Sequence, residues 1–446
     1  MAQVVRPASL DALREALAAA RRDGRSVGLA GGRHAMGGQQ FAAGGVLIDT
    51  RDLRRVLSFD PGKGIIEAEA GIEWPDLIAE IRRLPEAAGW GIAQKQTGAD
   101  RMTLGGSLSA NVHGRGLTMP PIVSDVESFD LLLATGERRH CRREDNADLF
   151  SLAIGGYGLF GVIVSVRLRL SPRRKLERQV EIETTDGLMR AFEERVAAGF
   201  LYGDFQFSID PSSRDFLRRG VFACYRPVED DVPIAETPRE LSEADWAALV
   251  RLTHFDKGQA FERYARFYLA TSGQIYWSDT HQLSIYLDHY HRALDAEAGR
   301  AGTEMITELY VPRSDLSAFL DAVAEDARRD ALDVIYGTVR LVEKDTETFL
   351  PWAREGWACV IFNLHVDHAP ERLSAAAEAF RRLIDRALER GGSYYLTYHR
   401  WARRDQVERA YPKLLELLRQ KRAHDPGELI HSDWYRHYRE MFRDAL

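Results

Sequence analysis

The sequence predicts a mixed α and β chain of two or three domains, on three observations. Its 446 residues, 45% hydrophobic and 28% charged, suffice for more than one sizeable core. Short apolar strands and amphipathic helices follow one another in both halves of the chain. The texture changes once, after SPRRKLER at 171–178, where a glycine-rich first part gives way to a segment dense in aromatic and charged residues.

The elements follow in order. Leu10, Leu13, Leu17 and Ala20 share one helical face, and that helix stops at Gly24. VGLA at 27–30 and GVLIDT at 45–50 read as strands on either side of a glycine loop. GIIEAEAGI is a strand, and Pro75 starts a helix in EWPDLIAEI, where its missing N–H costs nothing. VESFDLLLATGERRHC reads as a hairpin turning at Thr135 and Gly136. VIVSVRLRL sets Val162, Val164, Val166 and Leu168 against Ile163, Ser165, Arg167 and Arg169, a half-buried strand. Residues 177–300 include a loop around DDVPIAETP. From 303 the pattern is regular: strand TEMITELYV, helix from Ser314, strand VIYGTVRLV, a short helix near TETFLPWA and strand ACVIFNLHV. A long helix from Glu371 to Gly391, strand SYYLTYHRW and a last helix through YPKLLELLRQ complete the chain.

Composition excludes several functions. A net charge of −7 gives no electrostatic footprint for nucleic acid. Cys141, Cys224 and Cys359 are far apart, without a CxxC pair, which argues against a disulfide framework or a zinc site and suits a reducing cytosol. MAQVVRPASL lacks the basic start and apolar core of a signal peptide, and no apolar run reaches the roughly 20 residues of a membrane span. A cytoplasmic protein without a membrane anchor is expected; oligomeric state is not encoded.

GLAGGRHAMGGQQ, residues 28–40, surrounds one histidine with five glycines. Glycine lets backbone approach a ligand closely, and successive N–H groups can form an anion-binding nest. The spacing is not GxGxxG, the loop enters a strand rather than a helix, and no Lys or hydroxyl follows the second glycine pair, so neither a Rossmann nor a Walker loop fits. TLGGSLSANVHGRG at 103–116 and IGGYGLFG at 154–161 repeat the theme. Three such loops suggest one extended ligand with a diphosphate and flat rings.

VGLAGGRHAMGG, then TLGGSLSANVHG, then NADLFSLAIGGYGLFGVIVSV together resemble, in this order, the FAD domain of the vanillyl-alcohol oxidase superfamily, the p-cresol methylhydroxylase (PCMH) type. Within it the chain looks most like the sugar and polyol branch of alditol, aldonolactone and decaprenylphosphoryl-ribose oxidases. TVRLVEKD, GGSYYLTYHR and HSDWYRHY carry that likeness more loosely. The resemblance implies an α+β fold: a two-part FAD-binding domain over 1–175, an α+β cap domain with an antiparallel sheet over 176–404, and a C-terminal segment, 405–446, returning to the FAD domain. It implies FAD held by Gly31, Gly32, Arg33, His34, Ala35, Gly37 and Gly38, by Thr103, Gly105, Gly106, Ser107, Asn111, His113 and Gly114, and by Gly156, Gly161 and Val162. In several members the histidine at the position of His34 is joined to the flavin 8α-methyl carbon, which needs a neutral imidazole nucleophile. No cysteine stands where a second link would form.

The activity so implied is oxidation of a CH–OH group of a sugar-like or polyhydroxylated small molecule, by hydride transfer to flavin N5. Arg340 matches an arginine that the branch places beside the substrate. Asn363 and His365 share one strand face and either line a cavity or serve the strand itself. Relatives carry a lysine near the flavin where this chain has Tyr398. Tyr398 and His399 point opposite ways on a strand, Tyr394 and Leu396 with the first, Tyr395 and Thr397 with the second, and Tyr398 is favoured in the site. Val112 occupies a position tied to oxygen access, and oxygen or another acceptor stays open. His281, His289 and His291 lack metal-site spacing, so no metal is expected; Gln282 and Tyr286 are candidates for substrate contact. The rival readings are a flavin-binding sensor or partner subunit without turnover, and a nicotinamide dehydrogenase, which the Rossmann mismatch disfavours.

Overall fold

The computed structural model describes residues 3–285, 287 and 290–446, so Tyr286 and His289 lie outside the described residues. The fold is α+β. The first helix, Leu10–Arg22, is capped by Ser9, whose hydroxyl accepts from the Ala12 amide. It buries Leu13, Leu17 and Ala20 against Val27, Val46 and Ile48 of a three-stranded parallel sheet. That sheet runs Gln3–Val5, Val46–Asp49, Val27–Ala30, and the glycine loop leaves from its last strand.

A second sheet orders Val56–Asp60, Ile65–Glu69, Val162–Arg169, Val126–Leu132 and Arg138–Cys141, all antiparallel. Its central strand is more buried than its alternation predicts, Ser165 included. Both faces of it are covered: Val162 and Val164 join the core of the first helix, while Ile163, Val166 and Leu168 join the core of the helices Trp74–Arg83 and Leu104–Ala110. Only Arg167 and Arg169 are partly exposed.

The third, eight-stranded sheet has the order Ile275–Trp277, Lys175–Thr184, Arg219–Pro227, Tyr202–Phe207, Val334–Val342, Trp357–Asp367, Gly302–Pro312, Ser393–Tyr394, and every pairing in it is antiparallel. The helices Thr185–Ala197, Leu316–Arg329 and Pro370–Leu388 bury Leu188, Phe192, Phe319, Leu320, Val323, Phe380 and Leu383 in the same core as this sheet's Val339, Val360, Phe362 and Leu364. Opposite that apolar layer the sheet carries polar side chains, and these face the glycine loops.

Three sequence expectations need correction. TETFLPWA forms no helix, because Asp345 Oδ1 accepts from the amides of Glu347 (2.8 Å) and Thr348 (3.1 Å) and closes a side-chain turn instead. SYYLTYHRW is a strand only at Ser393–Tyr394. Beyond it the Leu396 carbonyl accepts from Trp434 Nε1, and the Thr397 carbonyl from the Gly37 amide and Gln39 Nε2, so no strand can pair there. HSDWYRHY, read only as a motif, forms a helix, Asp433–Met441, whose Ser432 cap accepts from the Tyr435 amide. The last turn before it bridges Ile430 to Val27, tying the C-terminal segment to the parallel sheet. No described helix is long and apolar enough to cross a membrane.

Candidate cofactor cleft and catalytic face

A cleft opens between the first two sheets. Its walls are 29–35, 102–110 and 157–163, with Gln39, Gln40 and Thr397 closing one end. Among the described residues, the amides of Gly31, Gly32, Arg33 and Ala35 donate to no acceptor. Successive unused N–H groups on one bend are a seat for an anion. Arg33 has φ +60°, and its guanidinium donates to buried Asp49 (3.0 Å), which also accepts from Arg51 (2.7 Å). The bend is thereby pinned to the parallel sheet.

The glycines have a second reason beyond ligand approach. A Cβ on Gly31 would stand 2.1 Å from Thr103 Oγ1, and one on Gly32 would stand 1.9 Å from the Arg101 carbonyl oxygen. Two loops cross backbone to backbone here. Gly32→Ala must displace a main-chain oxygen, so a stability loss of about 1–3 kcal/mol is expected, together with reduced flavin retention. Thermal unfolding and flavin content of the purified variant check this.

His34 lines the cleft half-buried, and its pKa is lowered, first by desolvation and then by Lys95 and Arg101, with Asp100 opposing. The imidazole is therefore held in the neutral form that a nucleophile requires. Lys95 is buried and donates to Asp100 Oδ1 (2.5 Å) and the Gln96 carbonyl (2.9 Å). Burial lowers its pKa against the pull of Asp100, and Arg115 and Arg340 lower it further.

The polar face of the large sheet meets the second glycine loop, through His113 and Glu308. Residues directly opposite on paired strands share a face, so Glu308, Ile361 and Thr338 form one row and Tyr310, Cys359 and Arg340 the next. Fully buried Glu308 accepts from Tyr310 Oη (2.6 Å), from Cys359 Sγ (3.3 Å) and, through Oε2, from Tyr398 Oη (3.3 Å). His113 Nε2 lies 2.8 Å from Glu308 Oε1, and its Nδ1 lies 2.9 Å from the Gly114 carbonyl. Both ring nitrogens thus face oxygen acceptors. Burial raises the Glu308 pKa, but the His113 charge and the hydrogen bonds from His113, Tyr310 and Cys359 outweigh it and leave it lowered. The carboxylate stays ionised. Burial, and next the Glu308 charge, hold the Tyr398 phenol well above its ordinary value.

Arg340 is 3% exposed. Among the described residues its guanidinium has no hydrogen-bond or ion-pair partner, with Nε and Nη1 buried and unsatisfied. Thr338 Oγ1 and Asn363 Oδ1 on the same face are unsatisfied too. An unpaired buried cation is costly. Three such groups on one face of the sheet, beside Glu308 and Tyr398, would suit a polar ligand.

Other expected site residues stand elsewhere. Gly105, Gly106, Gly161, Val162 and Thr103 line the cleft. The Gly105 amide, however, donates to the Ala70 carbonyl, and that of Gly106 to Thr103 Oγ1. Ser107 is fully buried, accepting from Trp74 Nε1 and donating to the Thr103 carbonyl. Gly37 and Gly38 lie outside the cleft lining: the Gly37 amide donates to the Thr397 carbonyl, and the Gly38 carbonyl accepts from the amides of Phe41 and Trp434. Asn111 ends its helix at φ +49°, donating to Asp345 and accepting from Val123. Gly156 packs on the Leu152 carbonyl, and the Gly114 amide donates to Gln94. Gln282 is a structural tie, accepting from Lys95 N and donating to the carbonyls of Ala93 and Ser278.

His399 turns away from Glu308, packing its ring edge-on to Phe380 at 4.5 Å; burial lowers its pKa to about 3. The turn after Tyr394 breaks the expected alternation, so Tyr394 lies by His399 and Tyr395 by Tyr398. His365 lies six residues along its strand from Cys359, about 20 Å away at 3.3 Å per residue, beside Glu304. His281 packs among Tyr202 and Tyr225. Glu308, Lys95 and Cys359 escaped the sequence reading. Glu304 and Glu308, spaced by four in an apolar strand, were the available signal for the first; Lys95 sits in a loop without periodicity and gave none.

Comparison with known proteins agrees with the cleft. Residues 1–142 match the FAD binding domain family. Over 438 residues, 94% of this chain and 90% of the relative, the chain is 24% identical to decaprenylphosphoryl-beta-D-ribose oxidase of Mycolicibacterium smegmatis. It is 31% identical over 172 residues to L-gulonolactone oxidase of Bos taurus, covering 38% of each. It is 32% identical over 161 residues to cytokinin dehydrogenase 9 of Oryza sativa subsp. japonica, 35% of this chain and 30% of that protein. The match therefore spans about a third of the length of the cytokinin dehydrogenases.

Proposed function

Because residues 1–142 form an FAD-binding domain, we propose that the chain is an FAD-dependent oxidoreductase that oxidises a CH–OH group of a sugar-like or polyhydroxylated small molecule. Bound FAD supplies the hydride acceptor. The unused amides of Gly31, Gly32, Arg33 and Ala35 would hold its pyrophosphate, and His34, kept neutral by burial, would be its point of covalent attachment. The large sheet serves as the cap.

The observation that carries the reading is the row of unsatisfied Arg340, Thr338 and Asn363 atoms beside Glu308 and Tyr398. Arg340 binds the oxygen at the reacting carbon and stabilises its charge as the O–H proton leaves. Tyr398 is a neutral phenol, so it takes that proton only as it passes its own to Glu308 Oε2. His113 holds the Glu308 carboxylate in place. Donors rich in hydroxyls fit the remaining unsatisfied groups, as the sugar-acting names of two relatives suggest.

Anaerobic mixing of the holoprotein with a panel of sugars, polyols, lactones and hydroxy acids tests this. Bleaching of the flavin by at least one polyhydroxylated donor is expected. A flavin that stays oxidised against the whole panel contradicts the assignment and favours a binding protein without turnover.

A further inference from the structure

Away from the cleft, three histidines and a glutamate converge from four chain segments. Glu304 and His365 are directly opposed on the strands Gly302–Pro312 and Trp357–Asp367. His254 comes from the helix Glu243–Phe255 and His291 from the helix Tyr290–Ala298. Glu304 lies four residues from Glu308, about 13 Å along the strand, so this cluster is separate from the catalytic face.

Its geometry is that of a ligand shell. His365 Nδ1 is 3.1 Å from Glu304 Oε1, and His254 Nε2 is 3.4 Å from the same oxygen. Donor atoms each about 2.0–2.1 Å from a tetrahedral zinc ion stand about 3.3 Å apart. His291 Nδ1 lies 2.6 Å from Glu304 Oε2. The side chains of His254 and Glu304 are each only 6% exposed, yet His254 Nε2 satisfies no hydrogen bond. The rings of His254 and His365 are nearly perpendicular, with centroids 5.0 Å apart, as for two ligands approaching one point from different sides. Behind His365, its other nitrogen faces Asp367 Oδ1 at 3.5 Å, the carboxylate that commonly orients a metal-bound imidazole.

We propose that His254, Glu304 and His365 bind a divalent transition metal of the zinc class. Two imidazoles and one carboxylate favour zinc over magnesium or calcium, which prefer all-oxygen shells. Three protein ligands leave one position of a tetrahedral shell for water, and the ion fastens the helix Glu243–Phe255 to the large sheet, while His291 pairs with the second Glu304 oxygen. Without an ion the same groups would make an ordinary His365–Glu304 ion pair.

The test uses tag-free holoprotein, dialysed against a chelator and then titrated with Zn²⁺ or Co²⁺. About one zinc per chain is expected, with tetrahedral Co²⁺ bands at wavelengths beyond the flavin absorption and no response to Mg²⁺. Glu304→Gln, which keeps shape and removes charge, and the double variant His254→Ala, His365→Ala should each weaken zinc binding at least tenfold while the flavin spectrum is retained. Absence of stoichiometric zinc in the wild-type chain overturns the site, as does unchanged affinity in the variants. If the double variant fails to fold, wild-type stoichiometry and the Co²⁺ spectrum still decide.

Discussion

His34→Ala is expected to move all of the flavin from acid-precipitated protein into the supernatant, whereas the wild-type pellet stays yellow. The expectation rests on a half-buried imidazole whose pKa is lowered by desolvation and by Lys95 and Arg101. Its neutral form persists to lower pH than that of an ordinary histidine, with a pKa of about 6.5. Attachment of FAD to apoprotein should accordingly continue below that value and fail only as the shifted pKa is passed. The variant should still bind FAD reversibly, because the pyrophosphate seat is main chain. Equal release of flavin from wild type and variant would show that His34 forms no bond.

Arg340→Ala should lower kcat/KM by about 10²–10³, equivalent to about 2.7–4 kcal/mol of transition-state stabilisation, the range seen when one preorganised donor is removed. It should not destabilise the fold. The guanidinium is buried without a partner, so its removal relieves a desolvation cost rather than breaking an interaction. Steady-state kinetics beside thermal unfolding separates the two effects. Arg340→Lys should recover only part of the loss, since an ammonium cannot reproduce the planar fork. Full activity with a lowered melting temperature would assign Arg340 to structure instead.

How much of this was readable in advance differs by element. Periodicity located the first helix, the hairpin at Gly136 and the strands Gly302–Pro312, Val334–Val342 and Trp357–Asp367 of the large sheet, because each buries one regular face; the sheet's four strands between 175 and 277 were not read. It failed at Leu396 and Thr397, whose carbonyls are taken by Gly37, Gln39 and Trp434 from distant parts of the chain. No local pattern encodes such a capture. The glycine loop was visible, but its division of labour was not. Gly31 and Gly32 carry unused amides in the cleft, while outside its lining the Gly37 amide donates to Thr397 and the Gly38 carbonyl accepts from Trp434. Glu308 shows the same limit: its importance comes from His113, Tyr310, Cys359 and Tyr398, four residues that meet only after the sheet has formed.

The account depends most on the cleft holding a flavin dinucleotide. Protein refolded with excess FAD, freed of unbound cofactor and digested, should yield about one flavin per chain, with Gly32→Ala giving clearly less. A wild-type digest without flavin, from chain that is folded by circular dichroism, would contradict it.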